Sequence, residues 1–317
     1  MKRFHKLIGI VLSLTMITLI SGCGGGSSST PSTPSAKEGT GVLSLSITDT
    51  PPQLPDNVTA VNIKVIGIEY RHEGEWTEVD GFEHKTLNLL ELQKGNSLPL
   101  GDFEVPAGHY TEIRFKLAAP DKVGNVKSNP DCNITFGDGT SVPLFVPSGG
   151  QSGYKGKGEF EVTIDSRVAV TADFEVSKSI VVTGSGKYLL KPVIRLVVDE
   201  LSGWIDGRVV DIEKYADDVM DNKLFVYAYN KNYSYDKEIE EVPDSDGLYF
   251  INAISGADVN MTDGNFTLPF LREGNYTLRT AHFNVDGFVG VVDVENDVEV
   301  FKVEGTPVEL NTSDDTP

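Results

Sequence analysis

Beyond the first 41 residues, apolar and polar side chains alternate with a period of two, which predicts β-strands. The segment VLSLSIT places Leu43, Leu45 and Ile47 on one face and polar residues on the other. In VNIKVIGIEY the alternation changes phase after Val65, as it does at a β-bulge. Only TLNLLELQ (86–93) suggests a turn of helix. The pattern therefore predicts an all-β chain.

Many short predicted strands, separated by Gly, Pro, Asn and Asp, favour two β-sandwich domains of prealbumin-like or immunoglobulin-like type. We expect the first over residues 41–200 and the second over 201–312, with a polar tail at 313–317. The segment SIVVTGSGKYLLKPVIRLVV predicts a hairpin. Its VTGSGKY part resembles a phosphate-binding loop but lacks that motif's first Gly and its final Ser or Thr.

One short pattern occurs in both halves of the chain. VPAGHYTEIRF (105–115) and LREGNYTLRTA (271–281) share an apolar residue, then Gly, then Tyr-Thr at the same spacing. Each predicts a strand, a tight turn at Gly108 or Gly274, and a second strand that begins with an aromatic residue. We interpret the repeat as a structural motif that closes the end of a sandwich.

The first 40 residues follow a different pattern. Residues 1–6 carry three basic side chains, and residues 7–20 are apolar but shorter than the about 20 residues that span a bilayer. The following LISGC ends at Cys23 and resembles the lipobox of bacterial lipoproteins. The resemblance implies that the signal peptide 1–22 is removed and that Cys23 carries acyl chains, which anchor the protein to a membrane.

Residues 23–40 continue as a Gly, Ser, Thr and Pro tether, whose composition is typical of a flexible linker. Gly24 rather than Asp follows Cys23, and the lipoprotein sorting pattern then implies the outer membrane in a Gram-negative host. Whether the domains face the periplasm or the cell surface stays open.

The net charge limits which molecules the chain can bind, and the cysteine count limits which disulfides it can form. The net charge is −20, and loss of the three basic leader residues makes it −23. Such a chain repels nucleic acid and anionic lipid headgroups, so nucleic acid is excluded as a partner. With Cys23 acylated, Cys132 has no disulfide partner in the chain, and we expect it as a half-buried strand residue.

Two family resemblances follow from longer motifs. Residues 41–199 resemble a lipoprotein family catalogued as domain of unknown function 4382, through LSLSITDTPP, LNLLELQKG, VPAGHYTEIRF and YLLKPVIRLVV. That resemblance implies an exported β-sandwich and no particular activity. Residues 204–292 resemble carboxypeptidase regulatory-like modules, which are prealbumin-like sandwiches, through GRVVD and TDGNFTLPFLREGNYTL. A long insertion around residues 230–258 departs from their pattern.

Aromatic residues supply one candidate contact surface. In LFVYAYNKNYSYD both faces of the predicted strand are apolar, and exposed tyrosines there would stack on sugars or anchor a protein partner. The alternative is that the second face packs on the other domain or on the long insertion. The candidate contact residues are Tyr227, Tyr229, Tyr233 and Tyr235.

Acidic residues supply a candidate Ca²⁺ site, because carboxylate oxygens are preferred Ca²⁺ ligands. DIEKYADDVMD and DSDG contain the candidates Asp217, Asp218, Asp244 and Asp246. The alternative is a solvated acidic loop, since the remaining ligands of a calcium loop are missing.

The sequence contains no G-x-S-x-G motif and no paired histidines at zinc-binding spacing. We therefore predict a non-catalytic binding or assembly module of the cell envelope, held on the membrane by its N-terminal lipid, with a glycan or an envelope protein as partner. Two alternatives stay open: a carbohydrate-binding surface lipoprotein, and a hydrolase whose carboxylate pair is brought together only by folding.

Overall fold

The structure is a computed structural model that describes residues 39–50, 54, 57–118, 121–123, 126–215, 222–231, 248–284, 287–300 and 308–310. Their regular structure is almost entirely strand, which confirms the all-β prediction. Within these ranges no helix is long and apolar enough to cross a bilayer.

The strands are β1 (Thr40–Asp49), β2 (Val58–His72), β3 (Glu75–Glu78), β4 (Lys85–Asn88), β5 (Leu98–Pro106), β6 (Gly108–Leu117), β7 (Asp121–Val123), β8 (Val126–Ser128), β9 (Asn133–Phe136), β10 (Ser141–Phe145), β11 (Tyr154–Val162), β12 (Arg167–Phe174), β13 (Ile180–Val182), β14 (Tyr188–Leu190), β15 (Ile194–Val198), β16 (Ser202–Val209), β17 (Lys223–Asn230), β18 (Ser255–Asp258), β19 (Asn265–Arg272), β20 (Gly274–Asn284), β21 (Gly287–Val300) and β22 (Val308–Leu310). The helical pieces are α1 (Val176–Ser179) and the 3-10 turns Leu89–Leu92, Asp199–Leu201 and Ile212–Tyr215.

Thirteen strands of the first region form one sheet in the order β13-β14-β10-β9-β2-β6-β11-β15-β12-β1-β5, with β3 and β4 also paired to β2. The sheet curves around a single core. Two strands, β11 and β15, lie between β6 and β12 in that order, yet the ring centroids of Phe115 on β6 and Phe174 on β12 are 5.8 Å apart, edge to face. The apolar face of β1 that the alternation predicted is buried in this core.

Three local predictions for this region are confirmed. The pairing of β2 with β6 shifts between Val65 and Gly67, where the change of phase predicted a bulge. The predicted helical turn is the 3-10 turn Leu89–Leu92. Strands β13 and β14 pair antiparallel around the Thr183–Lys187 turn, so VTGSGKY is the end of a hairpin.

Cys132 differs from its prediction. It is fully buried and lies in the bend just before β9, whereas a half-buried strand position was expected. Its thiol approaches the carbonyl oxygen of Ala118 at 3.6 Å, and burial raises its pKa. A thiol in this environment is inert, because the reactive form is the thiolate.

The second region is a sandwich of two small sheets. Strands β19-β16-β22 form one sheet and β18-β17-β20-β21 form the other. Ile205 and Leu268 of the first sheet and Leu224 and Leu278 of the second belong to one buried cluster, so the two sheets face each other across it. A boundary at residue 200 between two independent domains stays a prediction.

Candidate functional site

The tyrosines of β17 are buried, and this overturns the exposure predicted for them. Tyr227 and Tyr229 are 3% and 1% exposed. They belong to an aromatic cluster on the outer face of the four-stranded sheet, where Tyr227 stacks on Phe250 with ring centroids 4.4 Å apart. Phe250 lies in the long insertion. The alternative interpretation of the apolar second face, packing against the insertion, is therefore the correct one.

The remaining site residues predicted from the sequence stay predictions, since they lie outside the described part of the chain: Cys23, Tyr233, Tyr235, Asp217, Asp218, Asp244 and Asp246. Among the residues that the structure does describe, no three His, Cys, Asp or Glu side chains are placed to hold a metal ion.

A cleft of about 200 Å³, lined by both polar and apolar residues, opens where Lys94 approaches β18 and β19. The ammonium group of Lys94 lies 2.9 Å from a carboxylate oxygen of Asp258, so a charge pair closes one side of the cleft. Asn265, Thr267 and Pro269 line it from β19. These three alternate along the strand with buried Phe266 and Leu268, as expected for the outer face of a sandwich sheet.

The turn that leads into β19 is held by its own polar residues. The Asn260 side chain accepts a hydrogen bond from the Thr262 amide, and the Asp263 side chain accepts one from the Asn265 amide. Gly264 has φ +79°, and a Cβ atom there would lie 2.2 Å from the carbonyl oxygen of Val209. Only glycine fits this position, so the turn fixes which face of β19 points outward.

Strand β16 carries an aromatic ring that is linked to a residue of the cleft by hydrogen bonds. The indole Nε1 of Trp204 donates a 2.8 Å hydrogen bond to Asp206, and the hydroxyl of Thr267 donates one of 2.7 Å to the other carboxylate oxygen. Asp206 and Thr267 are register partners across the two strands. Because Thr267 also lines the cleft, the ring and the cleft share one surface. We call Trp204, Asp206, Asn265, Thr267 and the Lys94–Asp258 pair the β16–β19 face.

Sequence reasoning missed this face, although a signal was present. In GWIDGRVVD, Trp204 occupies the polar phase of the alternation together with Asp206 and Arg208, and 40% of its surface is exposed. A large aromatic residue in the polar phase of a strand is the unusual feature.

A second polar cluster lies in the interior. Asp49, Asp173 and Glu175 are nearly fully buried. Asp173 accepts a 2.7 Å hydrogen bond from Arg195, and Glu175 pairs with Lys178 at 2.8 Å. Burial raises the pKa of Asp49 well above its usual value and raises the pKa of Glu175.

The cations of this cluster also contact the second region. Arg195 donates a 2.8 Å hydrogen bond to the carbonyl oxygen of Phe270, and Lys178 donates one to that of Ala253. The cluster thus joins β15 and α1 to the sandwich that carries the β16–β19 face. Asp173 and Glu175 bind cations of the chain itself, and those two cations hold the two regions together.

Solved structures share only weak similarity with the chain. A leucine-rich repeat protein from Bacteroides thetaiotaomicron is 12% identical over 86% of this chain, with a TM-score of 0.21, and the chain spans 26% of that protein's length. A candidate adhesin from Bacteroides ovatus is 13% identical, with 95% of this chain and 100% of that one covered and a TM-score of 0.21. The shaft pilin of Lactobacillus rhamnosus GG is 10% identical, with 88% and 100% covered and a TM-score of 0.19.

Comparison of the sequence with known proteins gives one family match. No protein of curated function matches the chain. Residues 40–192 match the model of the family described as Domain of unknown function (DUF4382), which confirms the family resemblance predicted for this part of the sequence.

Proposed function

We propose that this protein is a lipid-anchored lipoprotein of the bacterial cell envelope that acts as a non-catalytic binding or assembly module. The observation that carries the proposal is the LISGC sequence ending at Cys23, placed directly after a basic and then a short apolar segment. The basic residues, the length of the apolar segment and the small residues before the cysteine all match a lipoprotein signal peptide. Acylation of the Cys23 thiol would hold the chain on a membrane.

The architecture supports a role in binding. The first described strand begins at Thr40, directly after the low-complexity tether, so an ordered β body follows the predicted anchor. That body carries the outward-facing β16–β19 face, and its two regions are joined by the Lys94–Asp258 charge pair and by the hydrogen bond from Arg195 to the carbonyl oxygen of Phe270. A tethered body with a fixed surface is suited to capturing a partner near the membrane.

Metabolic labelling with alkyne-tagged palmitate in a bacterial host tests the anchor. The chain has two cysteines, so Cys132→Ala provides a matched control that removes a thiol without touching the predicted anchor. We expect the label and the membrane fractionation to be lost in Cys23→Ala and kept in Cys132→Ala. Membrane retention of Cys23→Ala equal to that of the parent would refute the anchor.

Protease treatment of intact cells tests the location. If an antibody against the second region detects cleavage, the binding body faces the medium; protection until the outer membrane is opened places it in the periplasm. A protein recovered only in the cytoplasm would contradict the envelope assignment.

A further inference from the structure

We infer that the β16–β19 face binds a neutral carbohydrate, with the ring of Trp204 as its stacking platform. The inference rests on the proposed function, since it names the ligand class of a binding module. It is carried by three features: an exposed indole ring, the Asp206 carboxylate that anchors it, and a cleft whose lining includes Thr267, the other hydrogen-bond partner of Asp206.

The indole ring is held in place before any ligand arrives. Its N–H group donates to Asp206, and Asp206 is itself held by the hydroxyl of Thr267 on the neighbouring strand. Both supports lie on paired strands rather than on a loop. A ring fixed in this way loses little conformational entropy when a flat apolar face, such as that of a pyranose, stacks on it.

The polar groups beside the ring match sugar hydroxyls. Each carboxylate oxygen of Asp206 accepts one hydrogen bond within the protein and keeps a further lone pair for a ligand. Asn265 brings an amide to the same face, and the cleft ends at the Lys94–Asp258 pair. Carboxylate and amide groups next to an aromatic ring allow a sugar to be bound by both stacking and hydrogen bonds.

Charge and size distinguish this ligand from other classes. The face presents the carboxylates of Asp206 and Asp258 together with the cations of Lys94 and Arg208, so it has no net positive charge that would attract a polyanion. A standard protein partner covers about 800 Å² on each side around an apolar centre. This face exposes a single large aromatic residue beside a cleft of about 200 Å³, which fits one or two sugar units better.

The two tryptophans allow a direct test in the full chain purified in detergent. Trp76→Phe leaves Trp204 as the only indole, so its fluorescence reports on this face. We would screen an array of neutral glycans, then titrate the best oligosaccharide into this variant. We expect the emission of Trp204 to change on binding, the affinity of Trp76→Phe to match that of the parent, and Trp204→Ala to weaken binding at least tenfold.

Two further variants keep the inference falsifiable. Asp206→Asn retains the side-chain shape and should weaken binding several-fold, whereas Trp204→Phe should keep part of the affinity. Absence of binding to every neutral glycan, or binding that Trp204→Ala leaves unchanged, would overturn the inference. Binding of a protein partner, with no binding of any glycan, would overturn it too. The palmitate experiment does not depend on these results, so the anchor and the ligand class can fail separately.

Discussion

The hydroxyl of Tyr110 donates a 2.5 Å hydrogen bond to the carbonyl oxygen of Pro106, four residues earlier in the chain. Tyr276 makes the same contact with Arg272 at 2.7 Å. In both cases the tyrosine is buried near the start of a strand and donates to the carbonyl oxygen of the last residue of the preceding strand. The short sequence repeat is therefore a repeated structural device that closes the β5–β6 and β19–β20 connections.

Removing either hydroxyl should destabilise the fold without unfolding it. Tyr110→Phe and Tyr276→Phe each leave a backbone carbonyl without its partner, and we expect each to lower the free energy of unfolding by about 1 kcal/mol. Urea titrations followed by circular dichroism measure this. Tyr188→Phe is the control, because the Tyr188 hydroxyl makes no hydrogen bond to any described residue. Equal effects at all three positions would contradict the assigned role.

Arg195 should matter far more than an exposed arginine of the same sheet. Its side chain is 21% exposed and pairs with Asp173, which is 3% exposed, whereas Arg167 and Asp102 are both more than half exposed. Arg195→Ala leaves a buried carboxylate uncompensated, so we expect a loss of about 3 kcal/mol in the free energy of unfolding. Arg167→Ala should change stability little. Adding Asp173→Asn to Arg195→Ala should recover part of the loss, and an additive double variant would refute the coupling.

Much of the fold could be predicted from the sequence, because the alternation of apolar and polar residues along a strand shows which of its faces is buried. The alternation at Leu43, Leu45 and Ile47 predicted one buried face, and the phase change after Val65 predicted the bulge. What the period of two does not reveal is what covers a strand. Tyr227 and Tyr229 lie on an apolar second face, and whether such a face meets solvent or another layer depends on distant residues such as Phe250.

The candidate site was missed for a related reason. Asp206 meets Thr267 through strand register, and Lys94 reaches Asp258 from the turn before β5, 164 positions earlier in the chain. No spacing rule connects residues so far apart. The sequence did contain one indication, a tryptophan in the polar phase of β16, but it identifies a site only once its neighbours Asp206 and Thr267 are known.

Calcium binding by the acidic segments stays a prediction with a direct test. If Asp217, Asp218, Asp244 and Asp246 form a site, calorimetric titration of the metal-free protein with Ca²⁺ should release or absorb heat, and replacing Asp217 and Asp218 by Asn should abolish it. A matched variant with Asp80→Asn and Asp165→Asn removes the same charge outside both acidic segments and should bind as before. No heat at millimolar Ca²⁺ would exclude the site.

Asp49 should make the stability of the fold depend on pH. Burial is the main cause that raises its pKa well above the ordinary 3.8, and the nearby charges of Asp173 and Glu175 act in the same direction. The folded state thus favours the neutral carboxyl. That contribution is fully present below pH 4 and is lost as the pH rises through the raised pKa. Asp49→Asn keeps an oxygen that accepts from the Val176 amide, but it removes this pH-dependent contribution.

The free energy of unfolding of Asp49→Asn, relative to the parent, should therefore increase as the pH rises from 4 to 8, by up to about 1.4 kcal/mol per pH unit. Asp102→Asn supplies a control with a flat difference. Hydrogen bonds from Ser44 and Arg167 lower the pKa of Asp102, so the stabilisation by its ionised form is complete above its ordinary pKa and is lost only at lower pH. From about pH 5 to 8 the stability of this variant relative to the parent should therefore stay constant. Parallel pH profiles for Asp49→Asn and the parent would mean that Asp49 ionises equally in the folded and unfolded states.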